Sequence, residues 1–97
     1  MTDNELTYEI RGAIFDVYNE LGPGLLESVY EEALWSPLRL DIIVNQQVII
    51  ELKSVEEMKP VYGKQLLTYL KLMKKHTGLL VNFSENNIRE GIQRIVN

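Results

Sequence analysis

Cysteine is absent from the 97-residue chain, which excludes disulfides, thiolate zinc sites and a cysteine nucleophile. With a single histidine, any metal site must be built almost entirely from oxygen ligands, a donor set that suits Mg²⁺ or Mn²⁺. No apolar run approaches the roughly 20 residues that a membrane helix needs, so no membrane partner is expected. The opening residues, MTDNELTYEI, are acidic and polar, unlike a signal peptide, and the cytoplasm is the expected location. A basic excess is also missing. The formal net charge of −4 argues against indiscriminate binding to nucleic acid, while leaving room for a local basic surface.

The residues that are present describe a small globular protein. Hydrophobic residues make up 45% and charged residues 25%, so a packed core is expected rather than disorder. The length fits one domain over residues 1–97. Ile10, Ala13, Ile14, Val17 and Leu21 recur at helical spacing and predict a helix from about Asp3 to Leu21. Gly22-Pro23-Gly24 breaks it. A second helix is predicted from about Leu25 to Leu34, with Leu26, Val29, Tyr30, Ala33 and Leu34 on its apolar face. Trp35-Ser36-Pro37 should end it, since the residue before a proline disfavours helical geometry.

The period then changes. Leu38, Leu40, Ile42 and Val44 alternate with Arg39, Asp41 and Ile43, and Val48-Ile49-Ile50 leads into Glu51-Leu52-Lys53. With Asn45-Gln46-Gln47 between them, the two pieces predict a β-hairpin. Pro60 suits the first turn of a third helix reaching Lys75, with Leu66, Leu67, Leu70 and Met73 toward the core. Gly78 to Phe83 reads as a buried strand. Ser84 or Asn86 can cap a last helix in which Ile88, Ile92 and Ile95 or Val96 face inward. The predicted order is α-α-β-β-α-β-α, a mixed α/β fold.

Asp41, Glu51 and Lys53 lie among apolar strand residues, where charge is costly unless paired or bound to a metal. Glu51 and Lys53 are two apart and share one strand face. Asp41 joins them if Asn45-Gln46-Gln47 forms a three-residue loop, because Val44 then pairs with Val48 and Asp41 lies opposite Glu51. A shift of one residue sends Asp41 to the other face. Two such carboxylates, with the Leu52 carbonyl as a third oxygen, can hold a divalent cation that activates water and stabilises charge on a phosphoryl group. Lys53 could orient that water or support the developing charge. The plainer reading of an E-x-K pair is a solvated surface pair. The apolar runs around it and around Asp41 bring the two readings level.

These residues resemble the PD-(D/E)xK motif of restriction-endonuclease-like proteins, with Leu40 in place of the motif proline. Gly24-Leu25-Leu26-Glu27-Ser28-Val29-Tyr30 matches the pattern that names the GxxExxY protein family of bacteria and archaea. Gln65-Leu66-Leu67-Thr68-Tyr69 is similar to the Q-x-x-x-Y element of many exonuclease-like members. Asn82-Phe83 and the closing Gly91 to Asn97 also fit.

The resemblance implies a restriction-endonuclease-like core, a mixed sheet flanked by helices, and Mg²⁺- or Mn²⁺-dependent hydrolysis of nucleic-acid phosphodiesters. Asp41, Glu51 and the Leu52 carbonyl would be metal ligands, Lys53 the catalytic lysine and Glu27 an added acid at the site. Gln65 and Tyr69, four apart on one helix face, would contact substrate or order the carboxylates. Glu27 as a solvated residue, Tyr30 as core packing and Gln65/Tyr69 as a core-edge hydrogen bond are the plainer alternatives; for Tyr30 core packing is preferred. The family usually has a longer segment between the tyrosine-bearing helix and the motif aspartate, which supplies the first strand of the core sheet. Here that strand is missing, and Tyr18 stands where a histidine is frequent. The shortening implies a homodimer or another partner covering the exposed sheet edge. It also raises an alternative, an inactive interaction module that keeps the fold. Lys64, Lys71 and Lys75 recur at helical spacing beside Lys74, and this stripe reads first as a wet face. His76 is placed to complement the helix dipole rather than to bind metal.

Overall fold

The structure is a computed structural model that describes residues 1–38 and 43–97. The first helix, α1, spans Asp3–Leu21, as its periodicity predicts. Its start is held by a reciprocal cap. The Thr2 hydroxyl accepts from the Glu5 amide at 3.1 Å, and the Glu5 carboxylate accepts from the Thr2 amide at 3.1 Å. Leu6, Thr7, Ile10, Ile14 and Val17 are buried, whereas Leu21 at the end is exposed.

The second helix, α2, spans Glu27–Leu38 and so runs past the predicted stop at Trp35. A proline in the last turn lacks only one hydrogen bond, and the bias against helical geometry before it is a preference that the last turn can override. Leu38, predicted to open a strand, is thus helical. The rest of that predicted strand is seen only as β1, Ile43–Val44. Asp41 lies outside the described residues.

Strand β2, Val48–Lys53, pairs antiparallel with β1 in the register Ile43↔Ile49 and Val44↔Val48. This is the three-residue loop that the sequence permits. Asn45 and Gln46 both take positive φ, 52° and 58°, which is the backbone twist a tight hairpin needs. Helix α3, Pro60–Met73, carries the chain to β3, Thr77–Asn82, which lies parallel to β2. Gly78 lets α3 seat directly on β3, since a Cβ there would lie 3.1 Å from carbons of Leu66.

The last predicted helix is replaced. Residues Ile88–Gly91 form one 3₁₀ turn, and Ile92–Val96 form β4, antiparallel to β3. Ile88, Ile92 and Ile95 satisfy a helical period, but β3 offers an open edge with unpaired backbone groups. Pairing with that edge suits a segment rich in Ile and Val better than an isolated turn of helix.

The sheet order is β1-β2-β3-β4. One face, with Val44, Val48, Ile50, Leu52, Leu79 and Val81, packs against Leu6, Ile10, Ile14, Tyr30 and Leu34 of α1 and α2. The other face, with Ile49 and Leu80, packs against Leu66 and Leu70 of α3, joined by Tyr62, Met58 and Ile95. Leu67 is half-buried and Met73 exposed, so the core face of α3 is narrower than predicted and Tyr62 takes a place in it. This mixed α/β arrangement matches a restriction-endonuclease-like fold. No helix among the described residues is long and apolar enough to cross a membrane.

The N-terminus of α1 is tied to the sheet through Asp3. Its carboxylate accepts from the buried Thr77 hydroxyl at 2.8 Å and from Gln47 Nε2 at 3.1 Å. The Thr77 bond, helped by Gln47 and by the charges of His76 and Arg94, holds the Asp3 carboxyl below its ordinary value of 3.8, against the opposite push of partial burial. The folded value is therefore the lower one. The stabilisation is present above the ordinary value and is lost as pH falls through the folded value. Asp3→Asn should cost about 1 kcal/mol at neutral pH and should flatten the fall in stability on acidification below the ordinary value. Urea unfolding followed by circular dichroism at several pH values measures both.

Candidate functional site

Strand alternation decides which side chains meet. Ile49, Glu51 and Lys53 share the face of β2 that looks toward α3, while Val48, Ile50 and Leu52 enter the other core. Ile49 is covered completely, but toward the C-terminal end of β2 the cover thins. The side chains of Glu51 and Lys53 keep 22% and 18% of their exposure. Lys53 Nζ lies 3.9 Å from Glu51 Oε1 and 4.5 Å from the centroid of the Tyr62 ring. The ammonium is thus held between a carboxylate and the electron-rich face of a tyrosine, a contact worth about 0.5–2 kcal/mol. Sequence reading missed Tyr62. Its signal was present, since Tyr62, Leu66 and Leu70 recur at a spacing of four and mark the face of α3 that meets the strand.

The backbone adds a candidate oxygen ligand on the same strand. The Phe83 amide donates to the Lys53 carbonyl at 2.9 Å, so that carbonyl points toward β3. Successive carbonyls of a strand alternate, which directs the Leu52 carbonyl to the side of β2 where β1 lies. Glu51 and Leu52 therefore offer hard oxygen atoms of the kind Mg²⁺ and Mn²⁺ accept. Among the described residues no group of three or more His, Asp or Glu side chains is gathered.

Glu27 is the first residue of α2 and is exposed. Its position is set by a latch. Tyr30 is wholly buried and stacks on Phe83 with ring centroids 4.0 Å apart. Its hydroxyl donates to the Gly22 carbonyl at 2.7 Å and accepts from the Leu25 amide at 3.0 Å. That closes the Gly22-Pro23-Gly24 turn, in which both glycines take positive φ, 74° and 87°, a conformation costly for other residues. The turn is joined to the end of β2 because the Ser54 hydroxyl donates to the Leu25 carbonyl. Tyr30 thus has the packing role preferred for it, while Glu27 belongs to the helix layer on the opposite face of the sheet from Glu51 and Lys53 and is not brought into contact with them.

Asn82 seals the other side of that end. Nearly fully buried, it donates to the Val55 carbonyl at 3.0 Å and accepts from the amides of Val55 and Ser84 at 3.1 Å each. The loop after Lys53 is thereby pinned to β3. Gln65 and Tyr69 are both exposed. They lie on the flank of α3 away from Gly63, whose side meets Ile95 of β4, and so on the flank nearer β1 and β2. His76 lies beyond the end of α3, with Nδ1 2.8 Å from the Asn97 carbonyl, and Tyr18 donates to the Glu85 carbonyl at 2.6 Å.

A family model described as the PD-(D/E)XK nuclease superfamily matches the chain over residues 4–40 and 35–95. The two matched stretches overlap where the sequence suggests a lost segment. No curated protein and no solved structure matches the chain.

The contact between Lys53 and Tyr62 has a direct signature. The ε-methylene protons of Lys53 should resonate upfield of those of the other lysines, shifted by the ring current. Tyr62→Phe should preserve the shift and Tyr62→Leu should abolish it in a ¹³C-resolved NMR spectrum. An unshifted wild-type signal would contradict the packing.

Proposed function

The chain belongs to the PD-(D/E)XK nuclease superfamily, and from that premise we propose that it is a nuclease-like domain that hydrolyses nucleic-acid phosphodiesters with Mg²⁺ or Mn²⁺. The observation that carries this reading is the shielded Glu51–Lys53 pair on one face of β2. The hairpin register supports adding Asp41. Val44↔Val48 and Ile43↔Ile49, continued by two residues, would bring Asp41 opposite Glu51 on the face they share. Superfamily nucleases generally use divalent metals. Asp41, Glu51 and the Leu52 carbonyl would hold the cation, whose chemistry when bound is to lower the pKa of water and neutralise phosphoryl charge.

The chain's own residues do the rest. Glu51 would serve as a ligand while its neighbour Lys53 stays on the same strand face, 3.9 Å away. Lys53, backed by the Tyr62 ring, is positioned to orient water or to support charge on the phosphate. Gln65 and Tyr69 would face substrate from α3, and Glu27, which lies in the layer across the sheet, would add its acid only around the end of β2. The Gly24, Glu27 and Tyr30 geometry supports a shortened member of the GxxExxY family.

A second reading, an inactive interaction module or homodimer, is favoured by one observation. Leu26, Val29 and Trp35 on and beside α2 are exposed, at 74%, 39% and 52%, and large exposed apolar side chains are candidates for cover by a partner.

Purified protein should cleave single- or double-stranded DNA or RNA when supplied with Mg²⁺ or Mn²⁺ and should stop on addition of EDTA. Asp41→Ala, Glu51→Gln and Lys53→Met should each reduce the rate by about 100-fold or more. Activity equal to these controls, together with a stable dimer by light scattering, would favour the interaction module.

A further inference from the structure

The net charge of −4 conceals a division across the sheet. Helices α1 and α2 carry eight carboxylates, Asp3, Glu5, Glu9, Asp16, Glu20, Glu27, Glu31 and Glu32, against one base, Arg11, among residues 3–38. Residues 58–84 contain five lysines, Lys59, Lys64, Lys71, Lys74 and Lys75, and no acidic residue. These lysines belong to α3 and its two ends, which cover the opposite face of the sheet from α1 and α2. One layer of the molecule is strongly acidic and the other basic, and Glu51 and Lys53 open on the basic side. Glu57 and Glu85 flank this stretch in sequence.

Helix stability does not account for these lysines. Lys71, Lys74 and Lys75 do suit the negative end of the helix dipole, but Lys59 is the N-cap residue, and the first turn holds no acid. A cation there is unfavourable for the helix itself. Nor does ion pairing account for them. Among the described residues the only ion pair within 4.0 Å is Lys53–Glu51. Lys59, Lys64, Lys71 and Lys74 are exposed. Lys64 and Lys71 are seven residues apart and so project from one line of the helix. Two turns separate them by about 10.5 Å, near the rise of three nucleotides along one strand, about 10 Å.

We infer that the α3 face is the docking surface for the nucleic-acid backbone, with Lys64 and Lys71 as phosphate contacts and Lys59 and Lys74 extending the track. This rests on the nuclease reading for the identity of the polyanion. The acidic α1–α2 layer repels the same strand and restricts its approach to the side on which Glu51 and Lys53 lie.

The test is binding without turnover. Fluorescence anisotropy of labelled 20-nucleotide DNA and RNA, single-stranded and duplex, is followed in EDTA from 25 to 200 mM salt. Wild-type affinity should fall steeply with salt. Lys64→Glu combined with Lys71→Glu should weaken binding by 10-fold or more and reduce the log–log salt slope by about 1.4–1.8, the loss of two phosphate contacts. Arg11→Glu, an equal charge change per site on the opposite layer, should alter affinity by less than 2-fold. All three positions lie outside the core, and unchanged circular dichroism melts confirm that folding is intact. Equal weakening by Arg11→Glu and by either single lysine variant would overturn the inference, as would no wild-type binding at 25 mM salt. Polyglutamate competing as well as an oligonucleotide of equal charge would overturn the nucleic-acid assignment. The two readings fail separately: binding through α3 with no metal-dependent cleavage removes the nuclease activity and keeps the surface, whereas full cleavage by the double lysine variant removes the surface and keeps the nuclease.

Discussion

Strand β2 has to serve two environments at once, and its two-residue period is the constraint from which the rest of the structure follows. Val48, Ile50 and Leu52 are buried under α1 and α2. Ile49, on the reverse face, is buried under α3. Glu51 and Lys53 continue the line of Ile49 beyond the reach of full cover. Shifting β2 by one residue would place a carboxylate and an ammonium in the α1–α2 core, at a cost of several kcal/mol per ion. The register of the whole sheet is therefore tied to the placement of these two charges.

The same end of the sheet is where the chain concentrates its specific polar contacts. Tyr30 closes the glycine turn, Ser54 ties that turn to β2, and Asn82 fastens the loop after Lys53 to β3. The Tyr30 hydrogen bonds are local, whereas those of Ser54 and Asn82 join segments far apart in sequence. No described buried side-chain polar atom lacks a partner, which matters in a small domain with little core to offset an unsatisfied group. A site on such a scaffold gains rigid placement from its surroundings. Lys53, between Glu51 and Tyr62, already has its direction set in the absence of any ligand.

The segregation of charge adds a direction to the molecule that its composition hides. Acidic α1 and α2 and basic α3 are separated by the thickness of the sheet, so their fields do not cancel locally. An acidic protein can thus present a basic face, and that face is the one on which the Glu51–Lys53 pair opens.

Much of this was legible in the sequence, where local physics decides. Helix α1, a hairpin about Asn45-Gln46-Gln47, Pro60 at the start of α3 and a buried strand near Gly78 follow from period, turn residues and proline geometry, while the three-residue register was permitted by the sequence and decided by the sheet. The shared face of Glu51 and Lys53 follows from strand alternation alone. Other features depended on what lay beside a segment in space. Ile88 to Val96 satisfies a helical period as readily as a strand, and only the open edge of β3 decided for β4. Trp35 to Leu38 stayed helical because a proline in a last turn loses little. Tyr62 became the partner of Lys53 because the α3 crossover brought it over β2. Periodicity tells which residues share a face, whereas the neighbour that covers that face is chosen by the packing of the whole chain.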